Sequence, residues 1–400
     1  YKRLTRTEPL TEKQLTEFVA RQIVDTQQST KAAAVILGRI YGEAKPRIVY
    51  SKAGNVSEFR QKYNIIKCRD VNDLHHAKDA YLNIVVGNVY DTKFTAAFFK
   101  NIRSENYSLN KVFSFNVAGA WDKERSIGAV KAVMAKNNIV VTRKPYEAKG
   151  ALTDLQILSA GNGQLPIKQG KPIERYGGYN KIKGAYFCVV EHSEKKSRVR
   201  SIEPVYIYKK ALYESDPIAY CTRVLGLVEP RIIYPRLLTD MLVEIDGKRV
   251  YFCGRSNATM LCKHCYQLCV AMRDEKYIKA ISKYVSRSLA EKAEDGIKLA
   301  PNSEISAERN CELYEVFREK LHISVYNRLF SNASALLDEQ AENFAELTLF
   351  EQCKLLLEIL KLFKCDRQLS DLKQIGGSSF SGALAVNKSL KKVKSAYVIN

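Results

Sequence analysis

The chain has 400 residues, of which 46% are hydrophobic and 10% aromatic, and its 64 lysines and arginines against 43 aspartates and glutamates give a formal net charge of +21 at pH 7. This length and hydrophobic content allow about two or three domains with cores and exclude an intrinsically disordered chain. A chain this basic usually has a polyanionic partner, so nucleic-acid binding is favoured over a basic protein merely kept soluble by its charge.

Targeting signals and cysteine spacing further restrict the class of protein. No apolar run reaches the roughly 18 residues of a membrane span, so we expect no membrane partner. The N-terminal stretch has neither an apolar segment nor a cleavage site, so no secretory signal is predicted. Ten cysteines are scattered without the spacing of a disulfide framework. That usage is typical of thiols in a reducing cytoplasm, which is where we expect the protein.

The first predicted element is a helix that opens on a capping box. Thr11 and Gln14 are spaced so that each side chain can satisfy a backbone N–H of the first helical turn. Apolar residues at helical spacing then continue towards Gly38. Before the next long helix the pattern predicts a strand at 47–51, a helix at 56–63 and a second strand at 65–68.

The stretch VNDLHHAKDAYLNIVVG, Val71–Gly87, predicts the helix around which the first part of the chain is organised. Asn72 or Asp73 is a suitable N-cap, and Gly87 is expected to end the helix. An apolar stripe at helical spacing is expected to face a core. Its members are Ala77, Tyr81, Ile84 and Val85.

The same helix carries a candidate chemical site. His76 and Asp79 are three residues apart and therefore project from one face of the first turns. An imidazole and a carboxylate together can bind a hard cation and move a proton of water. Two ligand-type residues do not by themselves define a metal site. A capped helix with solvated histidines and a solvated Asp79 is the other interpretation.

The remaining elements change from helical to mixed. After a loop-rich connection at 91–122, the pattern predicts a helix at 124–135, then strands at 138–142, 185–191 and 205–208. Alternating residues around Asp246 and Gly247 predict a hairpin at 241–253, because Asp-Gly suits a tight turn between two strands. Apolar periodicity predicts helices at 265–287, 307–330 and 344–363, and the chain closes on a strand at 397–399.

One cysteine and histidine cluster has ligand chemistry. Cys262, His264, Cys265 and Cys269 lie close in sequence, with Cys253 nearby. A Cys-x-x-Cys pair with a histidine offers the ligand types of a zinc knuckle. However, a structural zinc site usually has two well-separated ligand pairs, and these residues crowd at the start of a predicted helix. We expect no zinc here, and a zinc-knuckle binding module is kept as an alternative.

Four stretches resemble one family in order and spacing. HHAKDAYLNIVVGNVY, from His75, resembles the third RuvC segment of the type II CRISPR RNA-guided DNA endonuclease, the single-protein effector of those systems. The other three are FVARQIVDTQQSTK from Phe18, VKAVMAKNNIVVTRKPYEAKGAL from Val130 and ERYGGYNKIKGAYFCVVE from Glu174. The likeness runs from Phe18 to Asn400.

The resemblance implies a mixed α and β chain of three parts. Residues 1–24 correspond to a linker helix that follows an HNH domain, which is absent here. Residues 25–143 correspond to the third segment of an RNase H-like RuvC nuclease fold. Residues 144–400 correspond to an α+β, β-rich domain that interacts with the protospacer-adjacent motif (PAM), a short duplex sequence beside the target.

The resemblance also implies a catalytic role for the central helix. Asp79 would be a ligand of Mg²⁺, with Mn²⁺ as a substitute, and His76 would deprotonate or position the attacking water in a two-metal site that cuts the displaced DNA strand. His75 is assigned a structural role. The family's other two carboxylate segments and its HNH motif are not found in this sequence. We therefore expect a C-terminal portion of a longer bacterial cytoplasmic protein, inactive alone.

The implied partners are a guide RNA, the target double-stranded DNA and the remaining segments of the same protein. In this class as generally described, base pairing with the guide reads the target and the protein reads only the PAM. The stretch from Lys149 to Gln156 resembles the loop that holds the target-strand phosphate next to the PAM. Its candidate residues are Thr153, Asp154 and Gln156, with Thr153, Gln156 or main-chain groups favoured for the contact. An ordinary domain linker is the other interpretation.

Base readout is expected near the C-terminus. In the family the reading side chains lie just before the closing strand, which here is the stretch 386–394. Arginine or lysine suits guanine and asparagine suits adenine in the major groove. The candidates are Asn387, Lys388 and Lys391, with Arg255 and Asn257 contributing from the end of the hairpin, whereas Lys392 and Lys394 suit phosphates. The arginine pair of some relatives is missing, so their GG preference does not carry over. For these residues, the other interpretation is a solvated basic loop. For the chain as a whole, the alternative function is a non-catalytic basic nucleic-acid-binding protein.

Overall fold

The computed structural model describes residues 11, 28–42, 49, 51, 53–93, 121–136, 140–153, 156–161, 164–195, 197–245, 247–254, 259–291, 304–366, 369–380, 383–385 and 390–392. Two compact units divide the chain. The first unit comprises Tyr1–Ile65 and Lys78–Ala132, and the second unit comprises Ile66–Ala77 and Val133–Asn400. Across the described residues, no helix combines the length and apolar content needed to cross a membrane.

Several sequence predictions fall largely or wholly outside the described residues. They are the capping box at Thr11–Gln14, the strand at 47–51, the loop-rich connection at 91–122 and the closing strand at 397–399. The described helices of the N-terminal third are α1 at residues 28–40, α2 at Ala53–Lys62, α3 at His75–Lys93 and α4 at Lys123–Ala135. Helix α1 passes through Gly38, and α2 and α4 confirm the predicted helices at 56–63 and 124–135 with shifted ends.

Aromatic packing holds the core of the first unit. Phe59 of α2 and Trp121, just before α4, are both buried, and their rings pack edge to face with centroids 5.7 Å apart. Tyr63 adds a third ring, 4.7 Å from Phe59. Offset and edge-to-face pairs of this kind contribute about 0.5–1.5 kcal/mol each beyond the area they bury.

Helix α3 differs from its prediction in two respects. It continues through Gly87 to Lys93, so Gly87 does not end it. A Cβ atom at Gly87 would lie 3.3 Å from Val49 Cγ1, and the glycine is therefore a packing residue. The predicted apolar stripe is also wrong, because Ala77 is exposed and Ile84 is 62% exposed. The buried face is shifted around the helix and consists of Leu82, Val86 and Val89.

Two predicted strands near these helices are wrong. Residues 65–68 form no strand, since the Ile65 N–H bonds to the Arg60 carbonyl and closes the end of α2. The strand predicted at 138–142 is reduced to an isolated bridge between Val140 and Tyr266, within its described residues. A strand needs a partner along its length, and local apolar content cannot supply one.

Small antiparallel sheets build the first half of the second unit. A three-stranded sheet has the order β1-β3-β2, formed by Ile157–Leu158 (β1), Leu165–Pro166 (β2) and Gly178–Tyr179 (β3), with helix α5 at Ile173–Tyr176 beside it in sequence. A second sheet has the order β5-β4-β6. Its strands are Gly184–Glu194 (β4), Ser197–Tyr206 (β5) and Val228–Leu237 (β6), and helices Lys210–Ser215 (α6) and Pro217–Arg223 (α7) lie between β5 and β6 in sequence.

Strand β4 is buried on both of its faces. Its residues 185–190 are all buried, and the pattern is therefore a continuous apolar run. Phe187 and Val189 pack into one cluster with apolar residues between 243 and 252, whereas Tyr186, Cys188 and Val190 pack into another with Tyr213 and Tyr220. The predicted strands at 185–191 and 205–208 correspond to β4 and to the end of β5, which stops at Tyr206.

The third sheet contains the predicted hairpin. Its order is β12-β9-β8-β7-β13, and all of its pairs are antiparallel. The strands are Leu242–Ile245 (β7), Lys248–Phe252 (β8), Thr259–Lys263 (β9), Ala383–Ala385 (β12) and Leu390–Lys392 (β13). Ile245 pairs with Lys248, so a two-residue turn joins β7 to β8 and the hairpin prediction is confirmed. Gly247 has φ +77°, the left-handed backbone that such a turn requires.

Helices pack the core of the C-terminal part. They are α8 at Met272–Glu291, α9 at Ala307–His322, α10 at Ser324–Glu339, α11 at Ala341–Glu346 and α12 at Leu349–Leu360, and the short pair β10 (Ser370–Asp371) and β11 (Ser379–Phe380) follows. The helix predicted from 265 begins only at Met272. The helices predicted at 307–330 and 344–363 are each broken, at Ile323 and at Leu347 and Thr348. Both breaks have extended backbone, and Thr348 and Glu351 form a capping box that starts α12.

Candidate functional site

Helix α3 carries both residues of the predicted chemical centre. His76 lies exposed in its first turn, and Asp79 is half-buried three residues further on. Asp79 Oδ1 lies 3.4 Å from Arg60 Nη1 of α2, and the two side chains are only 23% and 15% exposed. A guanidinium therefore places positive charge beside the carboxylate in a partly buried setting, where such a pair is screened less than at the surface.

His75 is buried at the start of α3, and its structural role stays a prediction. It is 6% exposed, and its Nδ1 lies 3.1 Å from the Asn72 backbone oxygen. Burial lowers the pKa of His75, which favours a neutral ring. Asn72 holds the turn before the helix: its Oδ1 accepts the Leu74 N–H at 3.1 Å, and its Nδ2 donates to the Leu268 carbonyl at 2.9 Å. The bond to Leu74 belongs to the turn before His75, so the N-cap at Asn72 or Asp73 stays a prediction.

The structure also brings together a group that the sequence reasoning did not single out. Asp73, His75 and His76 each offer one ligand atom, and these atoms all lie within 4.8 Å of one another. The rings of His75 and His76 have centroids 4.2 Å apart. Asp73 was interpreted only as a possible cap, and its spacing to the two histidines was the available signal. One carboxylate with imidazoles is a donor set that suits divalent metals.

Asp79 has the carboxylate oxygen atoms that a hard cation prefers as ligands. Mg²⁺ is commonly held by one or two carboxylates together with waters and substrate phosphates. Asp79 offers one such carboxylate, three residues after the exposed His76 on the same helix. The residues present therefore fit part of a magnesium site.

Backbone hydrogen bonds lie on both sides of Gly150 in the predicted phosphate loop. The Ala148 N–H donates to the Ala185 carbonyl at 2.8 Å, and the Lys183 N–H donates to the Leu152 carbonyl at 2.7 Å. Gly150 has φ +85°, a conformation that glycine adopts without strain. Thr153 is half-buried and Gln156 is exposed. Asp154 lies outside the described residues.

Basic side chains hold the acidic residue next to that loop. Glu147 Oε1 accepts from Lys210 Nζ at 2.5 Å, and Glu147 Oε2 accepts from Arg236 Nη2 at 2.6 Å. The hydrogen bond from Lys210 is the main reason that the pKa of Glu147 is lowered. The sequence reasoning missed Glu147, because its two partners are 63 and 89 residues away in sequence.

The base-reading candidates are only partly described. Asn387, Lys388, Arg255 and Asn257 lie outside the described residues. Lys391 lies in β13, the edge strand of the third sheet, where its register partner is Glu244 of β7. The structure thus gives the backbone position of one candidate and leaves the base-reading role as a prediction.

The cysteine and histidine cluster is described in part. His264 is buried, and its ring packs against Tyr326 and Phe330 with centroid distances of 5.3 and 5.2 Å. Burial lowers the pKa of His264 to about 4. The Cys265 thiol lies 3.4 Å from the Arg249 carbonyl, and burial raises its pKa to about 11, which disfavours the thiolate that zinc binds. The side chain of Cys262 lies outside the described residues, so the expectation of no zinc stays a prediction.

Comparison with known families defines the class of the two regions. Residues 27–100 match the family model of the Cas9 RuvC domain. Residues 149–400, more than half of the chain, match the model of the PAM-interacting domain of CRISPR-associated endonuclease Cas9. The chain therefore has a RuvC region followed by a PAM-interacting region, and the predicted fold class of mixed α and β is confirmed. The domain bounds at 1–24, 25–143 and 144–400 stay a prediction.

Curated relatives carry the same name. The chain is 31% identical over 291 residues to the CRISPR-associated endonuclease Cas9 of Listeria innocua, a match that covers 63% of the chain and 21% of that protein. It is 28% identical over 259 residues to the CRISPR-associated endonuclease Cas9 of Streptococcus mutans, covering 54% of the chain and 19% of that protein. The matches thus span about a fifth of the length of these relatives. The chain belongs to the Cas9 family, as the four sequence motifs indicated.

Proposed function

We propose that this chain supplies one part of the RuvC nuclease centre and the PAM-interacting domain of an RNA-guided DNA endonuclease. The substrate would be a double-stranded DNA whose displaced, non-target strand is cut at the RuvC centre. The required partners would be a guide RNA and the remaining RuvC, HNH and recognition segments of the same protein. The net charge of +21 supports the proposal, because phosphate contacts dominate the affinity of such complexes.

One observation supports the nuclease assignment: His76 and Asp79 both lie on helix α3, inside the region that matches the RuvC family model. Asp79 is held beside Arg60, so its carboxylate has a fixed position before any cation arrives. Bound Mg²⁺, or Mn²⁺ in its place, would supply Lewis acidity to the phosphate and lower the pKa of a bound water. The exposed imidazole of His76 would accept the proton of the attacking water, since the pKa of histidine suits that transfer.

Exposed apolar residues support the need for further segments. Helix α1 leaves Val35, Ile36 and Ile40 exposed by 54%, 56% and 67%, and Ile84 of α3 is 62% exposed. Val35, Ile36 and Ile40 lie within six residues of one another, and large apolar side chains exposed so close together indicate an interaction surface. We propose that the remaining RuvC segments of the protein cover these side chains. The isolated 400-residue chain is accordingly proposed to be inactive, since one carboxylate does not complete a two-metal site.

The second unit would read the PAM and hold the adjacent phosphate. The groups proposed to contact the phosphate are Thr153, Gln156 and main-chain N–H groups near Gly150. Asp154 is proposed to be part of the same loop. Lys391 is proposed as a base reader on an edge strand, together with Asn387, Lys388, Arg255 and Asn257. The reducing bacterial cytoplasm suggested by cysteine usage stays a prediction.

The test is strand-resolved DNA cleavage by the complete protein with its guide RNA. Asp79→Asn and His76→Ala should leave guide and target binding unchanged and convert a double-strand cut into a nick, with only the target strand cut. Glu58→Gln removes an exposed carboxylate from neighbouring α2 and should cut both strands normally. The assignment is wrong if either variant still cuts both strands at the normal rate, or if both cuts are lost together.

A further inference from the structure

Helix α8, at Met272–Glu291, presents a row of cations to solvent. The four side chains are all exposed and follow one another at spacings of three, four and four residues: Lys276, Lys279, Lys283 and Arg287. With about 3.6 residues per turn, these spacings place all four on one face of the helix. We call this row the α8 basic face. At about 1.5 Å per residue, it extends over about 16 Å along the helix axis.

The other side of α8 is fixed in the core of the helical part. Its buried side chains pack into an apolar cluster that also contains residues of α12. They are Tyr277, Ile278, Ile281 and Val285, each no more than 7% exposed. This packing sets the rotation of the helix about its axis, so the α8 basic face points to solvent.

Among the described residues, the α8 basic face has no acidic partner. Asp274, at the start of the helix, pairs with Arg273 and Arg309. The four cations of the face, in contrast, form no ion pair with any residue in the described ranges. Like charges three or four residues apart repel one another and destabilise a helix. An anion that lines the face would remove this repulsion.

Helix α9, which contributes to the same apolar cluster, distributes its exposed charge differently. Glu312 pairs with Arg309, and Glu315 pairs with Arg318, in each case three residues apart on the same helix. Acidic and basic side chains thus offset one another along α9, whereas α8 concentrates four positive charges on one face. The uncompensated charge is therefore a local property of the α8 surface.

We propose that the α8 basic face binds the phosphate backbone of an RNA strand, which in the proposed function is the guide RNA. The helix contains no asparagine or glutamine, and a row made mainly of lysines suits phosphates rather than base edges. The choice of RNA rests on the proposed function, in which the DNA is assigned to the loop near Gly150 and to strand β13. Because α8 packs instead in the helical cluster, the guide is the polyanion that remains without an assigned contact.

The salt dependence of guide RNA binding by the complete protein measures these contacts. The face variant replaces all four cations by glutamine: Lys276→Gln, Lys279→Gln, Lys283→Gln and Arg287→Gln. Each phosphate contact contributes about 0.7–0.9 to the slope of log affinity against log salt concentration, so the slope should be smaller by about 3 in the face variant. Between about 50 and 200 mM salt, the wild type should therefore lose about fiftyfold more affinity than the face variant.

A charge-matched control separates the row from the net charge. It removes four exposed cations from separate segments of the second unit: Lys168→Gln, Lys195→Gln, Arg223→Gln and Lys373→Gln. This control has the same net charge as the face variant and should keep the wild-type slope. An unchanged slope in the face variant would overturn the proposal, and so would an equal decrease in the control.

A second variant covers a folding defect in the face variant. Replacing the three lysines of the face by arginine keeps every charge, and this variant should keep the wild-type slope. All of the substituted side chains are exposed, so no variant should have a lower melting temperature than the wild type. A decrease of the slope in the arginine variant equal to that in the glutamine variant would assign the effect to folding and would overturn the proposal.

Two further measurements separate the choice of partner and the nuclease proposal. Target duplex DNA is titrated into the guide-loaded protein, and its affinity should be equal in the wild type and the face variant. A change in DNA binding with unchanged guide RNA binding would overturn the RNA assignment. A protein that binds guide RNA through the face but shows no guide-dependent cleavage would contradict the proposed function alone. A protein that cleaves normally but whose guide affinity does not depend on the face would contradict this inference alone.

Discussion

The buried His264 makes a specific prediction about stability in acid. In the folded chain its pKa is about 4, against an ordinary value of 6.5 for an unfolded histidine. Between those values the unfolded chain binds a proton that the folded chain does not, so the free energy of unfolding falls as the pH is lowered through this window. Above pH 6.5 the full stability is present, and below pH 4 the whole contribution is lost.

The size of the effect follows from the two pKa values. A shift of one unit corresponds to about 1.4 kcal/mol, so complete acidification removes about 3 kcal/mol. About 2 kcal/mol of this should be lost between about pH 7 and pH 5. His264 is almost fully buried, so no discount for solvent screening is needed.

The assay is urea unfolding of the wild-type protein and of His264→Phe at several pH values. The phenylalanine variant has no imidazole to protonate, so its loss of stability between pH 7 and pH 5 should be smaller than that of the wild type by about 2 kcal/mol. Identical pH dependence in wild type and His264→Phe would refute the reasoning.

Individual contacts support three further predictions. Arg60→Ala should lower the free energy of unfolding by about 1–3 kcal/mol, because it leaves the partly buried Asp79 carboxylate without its guanidinium, and Arg60→Lys should lower it less. Urea unfolding measures both variants, and an unchanged stability of Arg60→Ala would contradict the pairing. Thr348→Ala should cost about 1 kcal/mol by removing the capping box with Glu351, again by urea unfolding, and an unaltered midpoint would argue against the box. Lys391→Ala should relax preference at one position in a randomised-PAM depletion assay; uniform weakening of all PAMs would instead assign a phosphate contact.

Features with local causes were the ones that the sequence predicted well. The hairpin depends on an Asp-Gly turn between alternating residues, and the structure has Gly247 at φ +77° in that turn. Helix α4 was found because its periodicity and both ends are contained in one short stretch. The family motifs likewise lie in contiguous segments, so the sequence alone predicted the family and the fold class.

Most of the features that the sequence did not predict depend on distant contacts, and one was a local signal. Gly87 was expected to end α3, but Val49 packs against that position and the helix continues. Ile323 separates α9 from α10, although its apolar side chain fits the pattern of one unbroken helix. The Thr348 capping box was a local signal that we overlooked within a strongly apolar stretch.

The candidate site shows the same division. His76 and Asp79 were predicted from spacing and resemblance, since they lie within one turn of one helix. The partner of Asp79 on α2, Arg60, could not be predicted, because their approach depends on how two helices pack.

The most direct test of the central claim asks whether Asp79 touches the catalytic metal. Asp79→Cys replaces a hard oxygen ligand by a soft thiolate, which binds Mg²⁺ poorly and softer cations well. In the complete protein with its guide RNA, this variant should nick the DNA in Mg²⁺, cutting only the target strand, and should regain non-target-strand cutting when Mn²⁺ or Cd²⁺ is supplied. Cutting of both strands in Mg²⁺ at the wild-type rate would contradict the assignment of Asp79 as a metal ligand.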